Sequence, residues 1–175
     1  VTDERKGMEY FIDAIDRLVK QHPELKDNTS VAVLGGNAQL VCDRLALKAY
    51  PLGYVSDERR IVDIYRSADM YVLPSLEDNL PNTIMEAMAC GVPCVGFRVG
   101  GIPEMIDHRR TGYVANFKDS NDLAVGMNWV LQEADTEQLS SACVSKVTRC
   151  YSGQSVAMRY IEVYNELIAL KRYIV

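Results

Sequence analysis

Two kinds of apolar pattern alternate along the chain. Between Lys6 and His22, apolar residues recur at the spacing of one helix face, which predicts an amphipathic helix ending before Pro23. A second long amphipathic helix is predicted over Val156–Tyr173. Four short apolar runs are instead typical of buried strands: Val31–Leu34, Met70–Leu73, Pro93–Phe97 and Tyr113–Ala115. Helices that alternate with short buried strands predict an α/β fold with a doubly wound parallel sheet.

The stretch 71–97 carries this pattern most clearly. A strand ends at Pro74, helix formers fill Asn82–Cys90, and Gly91 followed by Pro93 is a helix stop signal. Strand, loop, helix and strand in this order imply two parallel strands joined by a crossover helix. The helix then begins at the carboxyl edge of the sheet, where open α/β folds bind ligands.

The other elements are predicted from weaker patterns. We expect a helix over Ala38–Ala49, a weak strand over Tyr50–Val55, and a helix over Arg59–Ser67 capped by Ser56 or Asp57. Further helices are predicted as follows: one turn after Gly101, a helix capped by Asp119 or Ser120, and a helix over Thr136–Arg149. A doubly wound unit begins with a strand, whereas this sequence begins at or near a helix. Either the first strand lies upstream, or another segment or chain takes its place.

Composition narrows the class of protein. The chain has 175 residues, enough for one domain, and its 48% hydrophobic and 25% charged residues are ordinary for a globular protein. A net charge of −5 disfavours sequence-independent nucleic-acid binding. The five cysteines form no CxxC pair, Cys90 and Cys94 are expected to be small buried residues, and no metal site is predicted. No apolar run reaches the ~20 residues that span a bilayer. The chain does not open with Met, and we expect an excised domain.

The start of the helix in the stretch 71–97 is a candidate anion site. A helix N-terminus has free backbone N–H groups and a partial positive charge, and both attract phosphates. Pro81 suits the first helical turn, although it removes one amide donor. The residues predicted at this end are Asn79, Leu80, Asn82 and Thr83.

Two carboxylates, Asp78 and Glu86, flank this helix start, with seven residues between them. Carboxylates accept hydrogen bonds from pairs of hydroxyls, so the arrangement suits a ligand with both phosphate and sugar groups. They would repel the phosphate unless a cation offset them, and Lys6 is the candidate. Spacing alone leaves a second interpretation open, in which Asp78 caps the helix and Glu86 lies on its solvent face.

The run DNLPNTIMEAMACGVPCV, residues 78–95, resembles the signature of the family 4 retaining glycosyltransferases, whose fold is called GT-B. That signature is a pair of acidic residues, here Asp78 and Glu86, leading into E-A-M-A-x-G-x-P-V. Further matches follow in the family's order along nearly the whole chain: Lys6-Gly7, Gly53-Tyr54-Val55, Pro74-Ser75, Gly100-Gly101 with Glu104, and Thr111-Gly112.

The resemblance implies a domain organisation. Such enzymes have two facing Rossmann-like domains, and the nucleotide-sugar donor binds mainly to the second. Residues 1–175 would then be one nucleotide-sugar-binding domain, the C-terminal half of the fold. Its last helix, about 154–173, would cross back toward an N-terminal domain, which is the expected partner.

The resemblance also implies roles for individual residues. Glu86 would hold the ribose hydroxyls, and Asp78 would hold hydroxyls of the transferred sugar. Lys6 would neutralise the diphosphate together with the amides of Asn82 and Thr83. The backbone around Tyr54 and Val55 would read the nucleobase. The remaining donor contacts are implied for Gly7, Ser75, Asn79, Leu80, Gly100 and Gly101.

Three departures from the family pattern stand out. Asp78 replaces the usual Glu, which shortens its reach, and Pro81 stands where Gly is frequent. The arginine that usually precedes the lysine by several residues is missing. Arg5 is adjacent to Lys6, so on a helix it points elsewhere and is not a substitute.

The implied function is sugar transfer from a nucleotide-diphosphate sugar, with UDP or GDP as the nucleotide, with retention of anomeric configuration and without a further cofactor. Surface polysaccharide or glycolipid synthesis in the cytoplasm, at the inner face of a membrane and with peripheral attachment, fits the family. The isolated domain is expected to bind nucleotide weakly and transfer nothing. A GT-B sugar-nucleotide epimerase and a non-catalytic Rossmann-like scaffold module stay open as alternatives.

Overall fold

The computed structural model describes residues 3–171 and shows an α/β chain. Its strands are β1 (Ser30–Leu34), β2 (Lys48–Gly53), β3 (Tyr71–Leu73), β4 (Cys94–Phe97) and β5 (Gly112–Ala115). After a 3-10 turn at Glu4–Lys6, the first helices are α1 (Met8–Gln21), α2 (Leu25–Asn28), α3 (Ala38–Cys42), α4 (Glu58–Arg66) and α5 (Asn82–Ala89). The later helices are α6 (Ile102–Met105), α7 (Ser120–Asn128, continued by a π-helical turn at Trp129–Glu133), α8 (Thr136–Tyr151) and α9 (Gly153–Lys171).

All strand pairs in residues 3–171 are parallel, as the apolar runs predict. β1 pairs with β2, and β3, β4 and β5 form a second sheet in that order. Within the described residues, β1 is therefore hydrogen-bonded along one edge, to β2, and β3 along one edge, to β4.

The three-stranded sheet is covered by helices on both faces. Successive residues of a strand point to opposite sides of the sheet, so neighbouring residues of β4 lie in two different apolar clusters. Val95 and Phe97 of β4 lie in one apolar cluster with α1 and α7. Cys94, on the other face, lies in a cluster with α5, α6 and α8. The doubly wound arrangement predicted from the sequence is confirmed in this sheet.

The predicted amphipathic face of α1 is buried as expected. Its apolar side is buried: Phe11, Ile12, Ala14, Ile15 and Leu18. All of these except Ile12 lie in the apolar cluster that also holds residues of α7. Asp119 caps α7 by accepting hydrogen bonds from the Asn121 and Asp122 amides. Gly126 inside α7 is explained by packing, since a Cβ there would lie 2.4 Å from the Tyr113 ring.

The predicted helix over Ala38–Ala49 is wrong in its second half. α3 ends at Cys42, and Lys48 and Ala49 belong to β2. Tertiary pairing overrides local propensity here, because Ala49 pairs with Val31 of β1. Asp57 does cap the next helix, and its side chain accepts from the Arg59 and Arg60 amides.

In the last helix, α9, every residue from Val156 to Leu170 is exposed. Its apolar residues are open to solvent: Val156, Met158, Tyr160, Ile161, Val163, Tyr164, Leu167, Ile168 and Leu170. The predicted end at Tyr173 lies outside the described residues. No helix among residues 3–171 is long and apolar enough to cross a membrane.

We predict that Cys94 and Cys143 resist alkylation in the native protein. Both are buried, and burial raises the pKa of the Cys143 thiol to about 12 and that of Cys94 well above its usual range. The thiolate is the reactive form. Iodoacetamide at pH 8 should therefore modify mainly the half-exposed Cys42, Cys90 and Cys150, as read by peptide mass spectrometry. Denatured protein is the control, in which all five cysteines should react. Native labelling of Cys94 or Cys143 at the rate of the others would contradict the burial.

Candidate functional site

The carboxyl ends of β3 and β4 are joined by the contact of two loops. A Cβ at Gly100 would lie 1.7 Å from the carbonyl oxygen of Asp78, and one at Gly101 would lie 2.0 Å from that of Asn79. The space that glycine leaves is thus filled by the chain's own backbone. The glycine pair, predicted to contact a donor, holds the loop that carries Asp78.

The 3-10 turn before α1 lies against the same loop. The Leu76 amide donates to the Arg5 carbonyl at 2.7 Å, and a Cβ at Gly7 would lie 1.9 Å from the Pro74 carbonyl oxygen. Lys6 is therefore held beside the end of β3, and its side chain is exposed.

Arg5 points elsewhere, as the sequence predicts. Its guanidinium is paired with the Asp3 carboxylate at 2.8 Å. This pairing lowers the pKa of Asp3, chiefly through the side-chain hydrogen bond. Lys6 is thus the cation that the turn presents at the end of β3.

Helix α5 begins at this edge without a side-chain cap among the described residues. The sequence predicted Pro81 in the first helical turn. In the structure it is the N-cap residue, with φ −67° and ψ 115°. The interpretation in which Asp78 caps the helix is therefore wrong. Asn82 and Thr83 begin the helix, and their amides have no intrahelical acceptor, which makes this end attractive to an anion.

Glu86 lies one turn into α5, on the same side as Asn82 and Thr83, because residues three and four apart share a helix face. Glu86 is exposed, yet it is not free. The hydroxyl of the buried Tyr65, on α4, donates to its Oε2 at 3.3 Å.

Ser75 and Leu80 differ in their surroundings. Ser75 is fully buried after β3, and its hydroxyl finds no hydrogen-bond partner within residues 3–171. An unpaired buried hydroxyl is unusual and costs free energy. Leu80 is half exposed, just before Pro81. Both belong to the loop between β3 and α5.

Tyr54 and Val55 lie beside the two-stranded sheet of β1 and β2. They follow β2 at its carboxyl end, and the Tyr54 side chain is 86% exposed. Gly35, in the predicted turn after β1, donates its amide to the Gly53 carbonyl at 2.7 Å. The next helix, α4, follows this segment in the chain and carries Tyr65, whose hydroxyl donates to Glu86 of α5.

The segment after the glycine pair is hydrogen-bonded to α8. Lys146 is only 7% exposed, and its ammonium group donates to the Glu104 carbonyl at 2.7 Å and to the Asp107 carboxylate. The Glu104 side chain is exposed. His108, predicted to be a solvated turn residue, accepts through Nδ1 from the Val114 amide at 3.2 Å.

Sequence reasoning missed Tyr65 and Lys146. Tyr65 follows Ile61 and Ile64 on the apolar side of α4, where a tyrosine is indistinguishable from an ordinary core residue. Lys146 lies in the helix with the weakest pattern of the chain. A lysine within an otherwise small and apolar helix face was the available signal.

Two open surface clefts along α1 lie apart from this site. None of their lining residues belongs to it: Tyr10, Asp13, Asp16, Arg17, Lys20, Gln21, Lys118, Asp119, Ser120 and Asn121. Among residues 3–171, no group of three His, Cys, Asp or Glu side chains is arranged to hold a metal ion. The candidate site is an open sheet edge.

Comparison with known proteins identifies the family. Residues 1–133 match the family described as "Glycosyl transferases group 1". The chain belongs to the group 1 glycosyl transferases. It is 27% identical to the D-inositol 3-phosphate glycosyltransferase of Corynebacterium jeikeium over 173 residues, which is 93% of this chain and 41% of that protein. It is also 27% identical to the N-acetyl-alpha-D-glucosaminyl L-malate synthase of Bacillus anthracis over 116 residues, 66% of this chain and 30% of that enzyme.

Solved structures show the same fold for this group 1 glycosyl transferase chain. The sucrose-phosphate synthase of Thermosynechococcus elongatus matches with a TM-score of 0.75 and 22% identity, over 96% of this chain and 44% of that one. Anabaena HepE in complex with UDP-glucose matches with a TM-score of 0.73 and 20% identity, over 94% and 46%. The fold is the Rossmann-like domain of GT-B glycosyltransferases. The chain spans less than half the length of each of these relatives.

Proposed function

We propose that this chain binds the nucleotide-diphosphate sugar of a glycosyltransferase at the carboxyl edge of β3 and β4. One observation carries the proposal: Lys6, the loop of Asp78 and the uncapped start of α5 converge at that edge. Lysine and free amides suit a diphosphate, and carboxylates suit hydroxyls. HepE, with the same fold, was solved with UDP-glucose.

In this proposal the residues act by position and charge. Lys6 and the first amides of α5 stabilise negative charge that develops on the departing diphosphate. Asp78 holds the transferred sugar, and Glu86 holds the ribose. No covalent protein nucleophile is needed, and the sugar is transferred with retention of configuration.

The full protein is proposed to act with an N-terminal domain that carries the acceptor site. The exposed apolar residues of α9 support this, because such a row of side chains is typical of a surface that another domain covers. We propose that the full protein works in the cytoplasm at the inner membrane face, in surface polysaccharide or glycolipid synthesis. UDP and GDP are the proposed donor nucleotides.

Isothermal titration with UDP, GDP and ADP tests the proposal. We expect weak binding of at least one nucleotide and no sugar transfer by residues 1–175 alone. Uridine and guanosine are the controls, because they lack the diphosphate that Lys6 and α5 would hold. A scaffold module would bind none of them, so the absence of heat at millimolar nucleotide would contradict the proposal.

A further inference from the structure

We infer that Tyr65 is a positioning residue, which holds the Glu86 carboxylate in place for the ribose hydroxyls of the donor. The inference rests on the proposed function, since it assigns a support to the ribose-binding group of that site. Tyr65 itself is not placed in contact with the donor.

The first support is the fixed position of the Tyr65 ring. Tyr65 is 4% exposed and lies in the core cluster beneath α5. Its ring meets that of Tyr71 edge to face, with centroids 5.6 Å apart and planes at 83°. A ring packed in this cluster and against Tyr71 has little freedom to move, so the position of its hydroxyl beneath α5 is fixed.

The second support is the partner that this buried hydroxyl has within residues 3–171. It reaches out of the core to Glu86 Oε2, at 3.3 Å, although Glu86 is exposed. An exposed glutamate otherwise samples several rotamers, and a ligand would have to order it. The tyrosine restricts this freedom before the ligand arrives.

The geometry leaves Glu86 able to bind its ligand. A carboxylate has about four acceptor positions on its two oxygens, and the Tyr65 hydroxyl takes one of them. Oε1 and the remaining position on Oε2 stay available for a pair of hydroxyls. Burial raises the pKa of Tyr65 far above its usual range, so the phenol remains a donor at neutral pH.

The test is Tyr65→Phe, which keeps the ring and removes the hydroxyl. Affinities for UDP and GDP, and for their 2′-deoxy counterparts, are measured by titration. We expect the variant to bind the ribonucleotide about three- to tenfold more weakly, the usual effect of one hydrogen bond. The ratio of ribonucleotide affinity to 2′-deoxyribonucleotide affinity should also fall. A merely structural role of Tyr65 would not change this ratio.

Tyr113→Phe is the matched control. The Tyr113 hydroxyl also donates to a carboxylate, that of Asp122, at 2.8 Å, but on the other face of the sheet. This variant loses the same kind of hydrogen bond and should keep the wild-type ratio of ribo to deoxyribo affinity. A Glu86→Ala background is the second control, in which Tyr65→Phe should have no further effect on affinity.

The outcomes separate the two proposals. If wild type binds nucleotide and Tyr65→Phe binds it equally well with an unchanged ratio, the positioning role is overturned and the donor site stands. A similar fall in affinity in Tyr113→Phe would also overturn it, since a general loss of stability would then explain both. If wild type binds no nucleotide, the proposed function itself fails, and the inference fails with it.

Discussion

Replacing Gly100 with alanine is expected to destabilise the folded chain by about 2–5 kcal/mol. Gly100 has φ +51°, a left-handed conformation that costs other residues about 1–2 kcal/mol. Its Cβ would also lie 1.7 Å from the Asp78 carbonyl oxygen, and overpacking of this kind costs about 1–3 kcal/mol. The loop that carries Asp78 would have to move. Chemical denaturation followed by circular dichroism gives the change in unfolding free energy.

Gly53→Ala is the matched control for Gly100→Ala. Gly53 has a similar φ of +65°, but no atom lies within 4 Å of an added Cβ. It should lose only the backbone contribution, about 1–2 kcal/mol. The difference between the two variants therefore measures the close approach of the two loops. Equal losses would show that Gly100 does not fix the position of Asp78.

Replacing Glu86 with alanine is expected to weaken nucleotide binding by about 1–3 kcal/mol, the scale of a lost charged hydrogen bond. Glu86 is exposed, but its removal leaves the buried Tyr65 hydroxyl without this partner, so the folded chain should also lose about 1–3 kcal/mol of stability. Titration with UDP and GDP measures the affinity, and thermal unfolding checks the fold.

Glu162→Ala controls for the loss of one negative charge. Glu162 is an exposed residue of α9, on a helix that carries no residue of the candidate site. It changes the net charge as Glu86→Ala does and should leave the affinity for nucleotide unchanged. If Glu86→Ala also bound nucleotide like wild type, the ribose-binding role assigned to Glu86 would be wrong.

The sequence predicted the fold wherever local pattern and tertiary packing agree. The run that forms β4 is apolar on both sides because helices cover both faces, and Gly91 stops α5 just before it. Spacing alone also places Glu86 one turn from Asn82. The end of α3 could not be predicted, because pairing of β2 with β1 decides it.

The sequence supplied candidate residues for the site, but it could not predict all of their contacts. Gly100 and Gly101 were predicted to contact a donor, and the fold shows a second demand on them, because a Cβ at either would meet the backbone of Asp78 or Asn79. A tight loop contact and a ligand contact demand the same residue type, so the sequence does not separate them. Tyr65 reaches Glu86 across 21 positions, a pairing that only the fold reveals.

The single-edge pairing of β1 and β3 has a consequence for handling the protein. A parallel strand with one bonded side still offers backbone donors and acceptors on its other side, and these act as a template for an incoming strand. β2 and β5 are likewise bonded on one side only, so four such edges occur within residues 3–171. Chains in concentrated samples can therefore associate through these strand edges without nucleotide. A short β-branched peptide that pairs with an edge would compete with this association.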